Sequence, residues 1–332
     1  MERHGKQQQF ITHMDPHEVL NAVAAGHITA VSALQQLYDL DKTAMPPLNR
    51  EPGGDSSRQR VEDILRELDS LIGLTTVKQL VRELYAFIEI QKRRQKEHLR
   101  TEPLVLHMIF KGNPGTGKTT VARILGKILR EMNVLSRGHL IEVERADLVG
   151  EYIGHTAQKT REQLKKAYGG ILFIDEAYSL ARGGEKDFGK EAIDCLVKAM
   201  EDHKDEFILI LAGYQKEMEY FLQTNPGLQS RFPIHIDFPD YTEQELLQIA
   251  EQMCVKRQYQ LTPAAKQAVL TAIRAQRNLG QNNFGNARTV RNIIEKSIRR
   301  QAVRLIAKNK TTREDLMVIE PCDILEVPEC VN

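Results

Sequence analysis

The chain has 332 residues, more than one domain of roughly 100–200 residues, which leaves room for two packed units and a flanking segment. Hydrophobic residues at 41% and charged residues at 27% exclude wholesale disorder, and 6% aromatics with no Trp leave Leu, Ile, Val and Ala to build the core. Lys and Arg number 46 against 45 Asp and Glu, so a net charge of +1 supplies no global attraction for nucleic acid or an anionic membrane.

Nothing in the sequence approaches the run of about 18 apolar residues that spans a bilayer. The opening Met1-Glu2-Arg3-His4-Gly5-Lys6-Gln7 leads into no apolar segment, and Cys195, Cys254, Cys322 and Cys330 show no metal-like pairing. The expectation is a cytoplasmic protein with free thiols and no membrane partner.

Residues 1–58 read as an appendage. Val19, Leu20 and Val23, then Val31, Leu34, Leu37 and Tyr38, suggest two short amphipathic helices, and the breaker-rich stretch from Met45 to Ser57 reads as a linker. From residue 59 to 240 the pattern becomes regular. Val61, Ile64, Leu65 and Leu68 have helical spacing, as do Val77, Leu80, Val81, Leu84 and Ile88. Short apolar runs at Val105–Phe110, His139–Val143, Gly170–Ile174, Phe207–Ala212 and Ile234–Phe238 then alternate with helical segments. Five strands alternating with helices predict an α/β domain: a parallel sheet covered by helices on both faces.

After Pro239 the strand signal stops. Thr242-Glu243-Gln244-Glu245 has the form of a capping box, Thr262-Pro263 starts a second helix, and a third runs from near Ala287 to Val303. This predicts a small helical domain over 241–311, followed by an acidic tail, 312–332, to which the pattern assigns no structure.

The strongest chemical signal is Gly112-Asn113-Pro114-Gly115-Thr116-Gly117-Lys118-Thr119, a complete phosphate-loop motif set between a strand and a helix. Its glycines let backbone N–H groups turn toward phosphates, and the helix N-terminus adds a favourable dipole. Lys118 would reach the β- and γ-phosphates of ATP, and the Thr119 hydroxyl would hold Mg²⁺. About 55 residues on, Ile171-Leu172-Phe173-Ile174-Asp175-Glu176 is a buried strand ending in two carboxylates at the sheet edge where ligands bind. Asp175 would ligate Mg²⁺ and Glu176 would polarise the attacking water, a pairing that fits hydrolysis better than transfer to a small-molecule hydroxyl.

From about Asp63 to Lys310 these residues resemble an AAA+ ATPase. The order is Leu71-Ile72-Gly73-Leu74, the phosphate loop, the Asp-Glu strand, Ser230-Arg231-Phe232, and Gly285-Asn286-Ala287-Arg288 in a helical lid. Gly112–Thr120, Phe173–Leu180, Leu211–Tyr214, Asn225–Leu228 and Ile236–Tyr241 are similar to the branch that holds the red-type Rubisco activases and their sporulation relatives. The resemblance implies that Ile72 and Gly73 border the adenine and that the loop through Thr120 lines the nucleotide. It further implies that Arg231 is an arginine finger reaching a neighbouring subunit's γ-phosphate and that Arg288 is the lid arginine reporting nucleotide state. Tyr214 takes the place of the polar residue that usually ends the fourth strand; it is either the water-orienting group or a packing aromatic. Tyr152, Ile153 and Gly154 match the aromatic–hydrophobic–Gly pore loop of threading rings, where an aromatic face grips an extended peptide.

A finger acting in trans requires chains side by side, hence a head-to-tail homo-oligomeric ring, of six by resemblance, working on a protein client that the sequence does not name. Two other classes compete. A nucleic-acid loader or motor would have to use Gln91–Lys96 or Arg299-Arg300, which read more simply as solvated helix faces. A monomeric kinase of a small metabolite would have no use for Arg231.

Overall fold

The computed structural model describes residues 54–101, 104–152, 154–182, 188–279, 284–308 and 310–325. The expected appendage helices, Ile153 and Cys330 lie outside them. In chain order the elements are α1 (Gly54–Asp69), α2 (Thr75–Lys96), β1 (Met108–Gly112), α3 (Lys118–Glu131), β2 (Leu140–Val143), α4 (Arg145–Leu148), α5 (His155–Ala167) and β3 (Ile171–Ile174). A 3₁₀ turn (Ala177–Ala181), α6 (Gly189–Asp202), β4 (Ile208–Gly213), α7 (Gln215–Thr224), α8 (Pro226–Gln229) and β5 (Ile234–Phe238) complete the α/β part. The lid is α9 (Glu243–Lys256), β6 (Gln260–Leu261), α10 (Pro263–Leu279), α11 (Asn286–Ile306), α12 (Arg313–Met317), β7 (Val318–Ile319) and α13 (Pro321–Ile324).

The five strands pair in parallel in the order β2-β3-β4-β1-β5. Because side chains alternate across a pleated strand, each strand feeds two cores. Met108, Phe110, Ile171, Phe173, Ile208 and Ile210 join the layer beneath α1, α2 and α3. Ile109, Leu172, Ile174, Leu209 and Leu211 join the layer beneath α5, α6 and α7. Phe110 meets Phe173 edge-on at 6.3 Å and Phe238 at 5.0 Å, contacts worth about 1 kcal/mol each beyond the area they bury. Helix α3 buries Val121, Ile124, Leu125, Ile128 and Leu129, the stripe expected from their spacing.

Four of the five strands begin one to three residues later than the sequence reading. Strand β1 is shifted toward its C-terminus relative to Val105–Phe110, because its ladder with β5 runs on through Lys111 to Gly112, opposite Phe238, while Val105 is half exposed. Ladder pairing follows the backbone, and the apolar run registers only side chains. The lid begins with the expected capping box, Thr242 accepting from the Glu245 N–H and Glu245 accepting from the Thr242 N–H. It is helical except for the two-residue parallel pairing of β6 with β7. The acidic tail is ordered through α13: Arg304, on α11, holds Asp323 and Glu320. No helix among the described residues is long and apolar enough to cross a membrane.

Candidate active site

Parallel strands put all their C-terminal ends on one edge of the sheet, and four sequence features converge there. The phosphate loop follows β1, Asp175 and Glu176 follow β3, Tyr214 follows β4, and the lid leaves from the end of β5. Lys118 opens α3, and its ammonium lies in the turn of the loop, donating to the carbonyls of Gly112 and Asn113 at 2.8 Å each. Burial holds this ammonium below its ordinary range, with Arg288 adding to the effect, while Asp175, Asp240 and Glu176 oppose it. Lys118, both carboxylates, Asp240 and Arg288 therefore share one electrostatic neighbourhood.

The two carboxylates are set differently. The Glu176 N–H donates to Oδ1 of Asp175 at 3.0 Å, fixing the first carboxylate beside the loop. Glu176 itself adopts φ 47° and ψ 43°, a left-handed conformation that a residue with a Cβ takes only at a cost of order 1–3 kcal/mol. That strained step turns the chain sharply from buried β3 into the 3₁₀ turn, so Glu176 is exposed at the sheet edge while Ile174 and Ala177 are buried on either side.

Tyr214 is half-buried, with its ring 5.8 Å from that of Tyr178. Burial, then the negative fields of Glu176 and Asp175, push its phenol above the ordinary range, and Arg288 opposes them. It is a neutral hydroxyl at physiological pH. Both expected readings thus have a physical counterpart, since the ring packs while the hydroxyl stays within the field of the acidic pair.

The lid closes over the loop. Gly115 has φ 71°, and a Cβ there would stand 2.3 Å from the Gly285 carbonyl, so only glycine permits the backbone contact in which the Ala287 N–H donates to the Gly115 carbonyl at 3.2 Å. Gly73, also left-handed at φ 63°, faces Glu245 and Tyr241, placing the Ile72-Gly73 connector against the lid. Sequence reasoning gave no role to Asp240, Tyr241 or Asn286. Their motifs were visible, but their contacts with the loop join positions far apart in the chain.

Arg231 stands apart from this cluster. It precedes β5, whose Ile234 lies opposite Met108 at the N-terminal end of β1, so the length of β5, about 16 Å, separates it from the phosphate loop. Its guanidinium pairs with Glu201 and donates to the Gly227 carbonyl at 2.6 Å. Tyr152 is 66% exposed and touches the His155 ring edge-on at 5.5 Å, and Gly154, at φ 84°, caps α5. A groove of about 950 Å³ between α2 and β5, lined by Leu80, Leu84, Phe87, Val105 and Ile234, holds none of the candidate site residues.

The donor set fits a nucleoside triphosphate with a hard cation. The Lys118 ammonium, the Asp175, Glu176 and Asp240 carboxylates and the Arg288 guanidinium act on one another at the mouth of a glycine-rich loop that opens a helix. Similarity to known proteins agrees. Residues 108–240 match the ATPase family associated with various cellular activities (AAA), and residues 242–329 match the AAA lid domain. The chain is 57% identical over 265 residues to stage V sporulation protein K of Bacillus subtilis, covering 80% of this chain and 82% of that one. It is 48% identical to the chloroplastic ribulose bisphosphate carboxylase/oxygenase activase of Cyanidioschyzon merolae, covering 80% and 92%, and 50% identical to protein CbbX of Cereibacter sphaeroides, covering 74% and 79%. A mutant of RuvB from Thermotoga maritima shares the fold at a TM-score of 0.51 and 19% identity, over 78% of this chain and 70% of that one. The chain belongs to the AAA+ ATPases and hydrolyses ATP, with an α/β nucleotide domain followed by a helical lid.

Proposed function

We propose that this ATPase works as a cytoplasmic head-to-tail ring of six chains that pulls on a protein client, in the same process as its sporulation relative. The observation that carries the proposal is the separation of Arg231 from Lys118, Asp175 and Glu176 by the length of a strand: a finger on the opposite edge of the sheet can serve only a neighbour's nucleotide. In that arrangement Lys118 binds the β- and γ-phosphates, Ile72 and Gly73 border the base, and the loop from Asn113 through Thr120 encloses the phosphates. Thr119 and Asp175 hold Mg²⁺, which supplies charge compensation on the phosphate oxygens. Glu176 accepts the proton of the attacking water, Tyr214 orients that water, and Arg288 contacts the same nucleotide from the lid. Arg231 of the next chain offsets charge on the transferred phosphoryl group, an effect worth about 10³–10⁵ in rate where such fingers have been measured. The exposed Tyr152, with Ile153 and Gly154, would line the central channel and grip the client.

Mixing Lys118→Ala chains with Arg231→Ala chains tests the trans arrangement. Each variant alone should be inactive, and the mixture should regain part of the turnover at interfaces that combine an intact loop with an intact finger. A mixture as inactive as its parts, or a fully active Arg231→Ala chain, would refute it.

A further inference from the structure

Where β5 ends and the lid begins, three polar side chains meet whose sequence positions are far apart. Asp240 accepts from the Asn113 amide through both carboxylate oxygens, at 3.0 Å each, and from the Asn286 amide at 2.7 Å. Asn286 is fully buried and left-handed at φ 45°, a conformation that Asn tolerates best after Gly. Its Oδ1 accepts the Tyr241 N–H at 3.0 Å, and its Nδ2 also faces the carbonyls of Phe284 at 3.0 Å and Pro114 at 3.4 Å. The Tyr241 hydroxyl donates to the Thr116 carbonyl at 3.1 Å, and the Ala287 N–H to that of Gly115. Four consecutive residues of the phosphate loop, Asn113 to Thr116, are thus held by the hinge or by the first turn of α11.

The chemistry requires an amide at 286. The side chain must accept from one backbone N–H while donating to a carboxylate and to carbonyls, at positive φ, from a fully buried position. A carboxylate of the same shape would set acceptor against acceptor, and glycine would satisfy the backbone while leaving Asp240, Tyr241 and Phe284 without their partner.

We propose that Asn286 and Asp240 are positioning residues that clamp the phosphate loop to the lid, so that a change at the loop carries α11, and Arg288 two residues beyond the clamp, with it. The assignment rests on the reading that Arg288 contacts the nucleotide of its own chain. Neither residue needs to touch ATP. What they set is whether occupancy of the loop is felt by the lid.

The test uses the full chain with Asn286→Gly, Asn286→Asp, Asp240→Asn and, as reference, Arg288→Ala. In the parent, ADP should slow hydrogen exchange both in the loop and in the first turns of α11. In Asn286→Gly and Asn286→Asp it should protect the loop alone, with kcat about tenfold lower and KM for ATP changed less than about threefold, the signature of an interaction lost after binding. Asp240→Asn keeps one acceptor oxygen toward Asn286 and should fall in between. An Asn286→Gly chain with parental kcat and with ADP protection still reaching α11 would overturn the clamp. So would faster exchange across the whole lid without nucleotide, because Asn286 would then merely hold the fold together. If Arg288→Ala is crippled while Asn286→Gly is not, the clamp fails and the lid-arginine reading stands. If Arg288→Ala turns over like the parent, that reading fails, and the exchange pattern of Asn286→Gly alone decides the clamp.

Discussion

The Arg304 guanidinium grips Asp323 through two parallel bonds, Nε to Oδ1 at 2.9 Å and Nη2 to Oδ2 at 2.8 Å, and its third nitrogen reaches Glu320 at 2.9 Å. The Asp323 side chain is 2% exposed and that of Arg304 12%, so this is a buried pair and not a surface one. Removing Arg304 strands the buried Asp323 carboxylate, whereas removing Asp323 leaves the guanidinium its bond to Glu320. Arg304→Ala should cost about 3–5 kcal/mol of stability and Asp323→Ala less, while Arg304→Lys, which keeps the charge but loses the fork, should lose part of that. Chemical denaturation of the purified variants measures it.

Glu176→Gln preserves shape and the left-handed turn but cannot accept a proton. It should bind ATP within about threefold of the parent while turnover falls on the order of 10²-fold or more, read by fluorescent-nucleotide titration beside steady-state phosphate release. Equal losses in binding and turnover would remove Glu176 from the proton-accepting role.

His107 makes stability depend on pH. Its ring is buried between Phe207 and Phe232, its Nδ1 accepts the Leu209 N–H at 3.0 Å, and burial lowers its pKa from 6.5 to about 4. A group that is harder to protonate in the fold than in the open chain favours the fold when neutral. That contribution is complete above pH 6.5 and is lost as pH falls from 6.5 to about 4, in total of order 3 kcal/mol. His107→Leu should flatten this part of the pH profile while lowering stability at neutral pH by about 1–3 kcal/mol, because the Leu209 N–H loses its acceptor. Urea midpoints measured across that window would check both.

Tyr152 is exposed, so Tyr152→Ala should leave the unfolding free energy within about 0.5 kcal/mol of the parent. It should abolish the increment in ATP turnover that an unfolded protein client provokes, and Tyr152→Phe, which keeps the aromatic face, should retain most of that increment. A client response untouched by Tyr152→Ala would detach this loop from client handling.

Much of the catalytic edge was readable because its chemistry dictates residue type at short spacing. A turn that wraps phosphates needs glycines and a Lys-Thr pair within one loop, and a buried strand ending in Asp175-Glu176 leaves few other interpretations. The α3 stripe and the Thr242 capping box were readable for the same reason, being local. What escaped notice is non-local or conformational. Asn113 and Asp240 are 127 positions apart, and Asn286 and Asp240 are 46 apart, so no window along the chain contains either pair. The left-handed turn at Glu176 leaves no compositional trace. The pairing of β6 with β7 involves two residues on each side, too few for an alternating pattern, and the acidic tail showed no structural pattern of its own because its partner, Arg304, belongs to another helix.

Arg231 lies three residues before the first residue of β5 and Asp240 two residues after its last. An extended segment locked in register on β1 can neither shorten nor slip by one place without turning Ile236 and Phe238 out to water. Its two ends therefore keep a constant spacing, as the ends of a push-rod do. In the proposed ring, a shift of the lid junction in one molecule would travel along this short strut to the guanidinium offered to the next, so the stiffness of five residues would set how closely successive ATP-splitting events are linked.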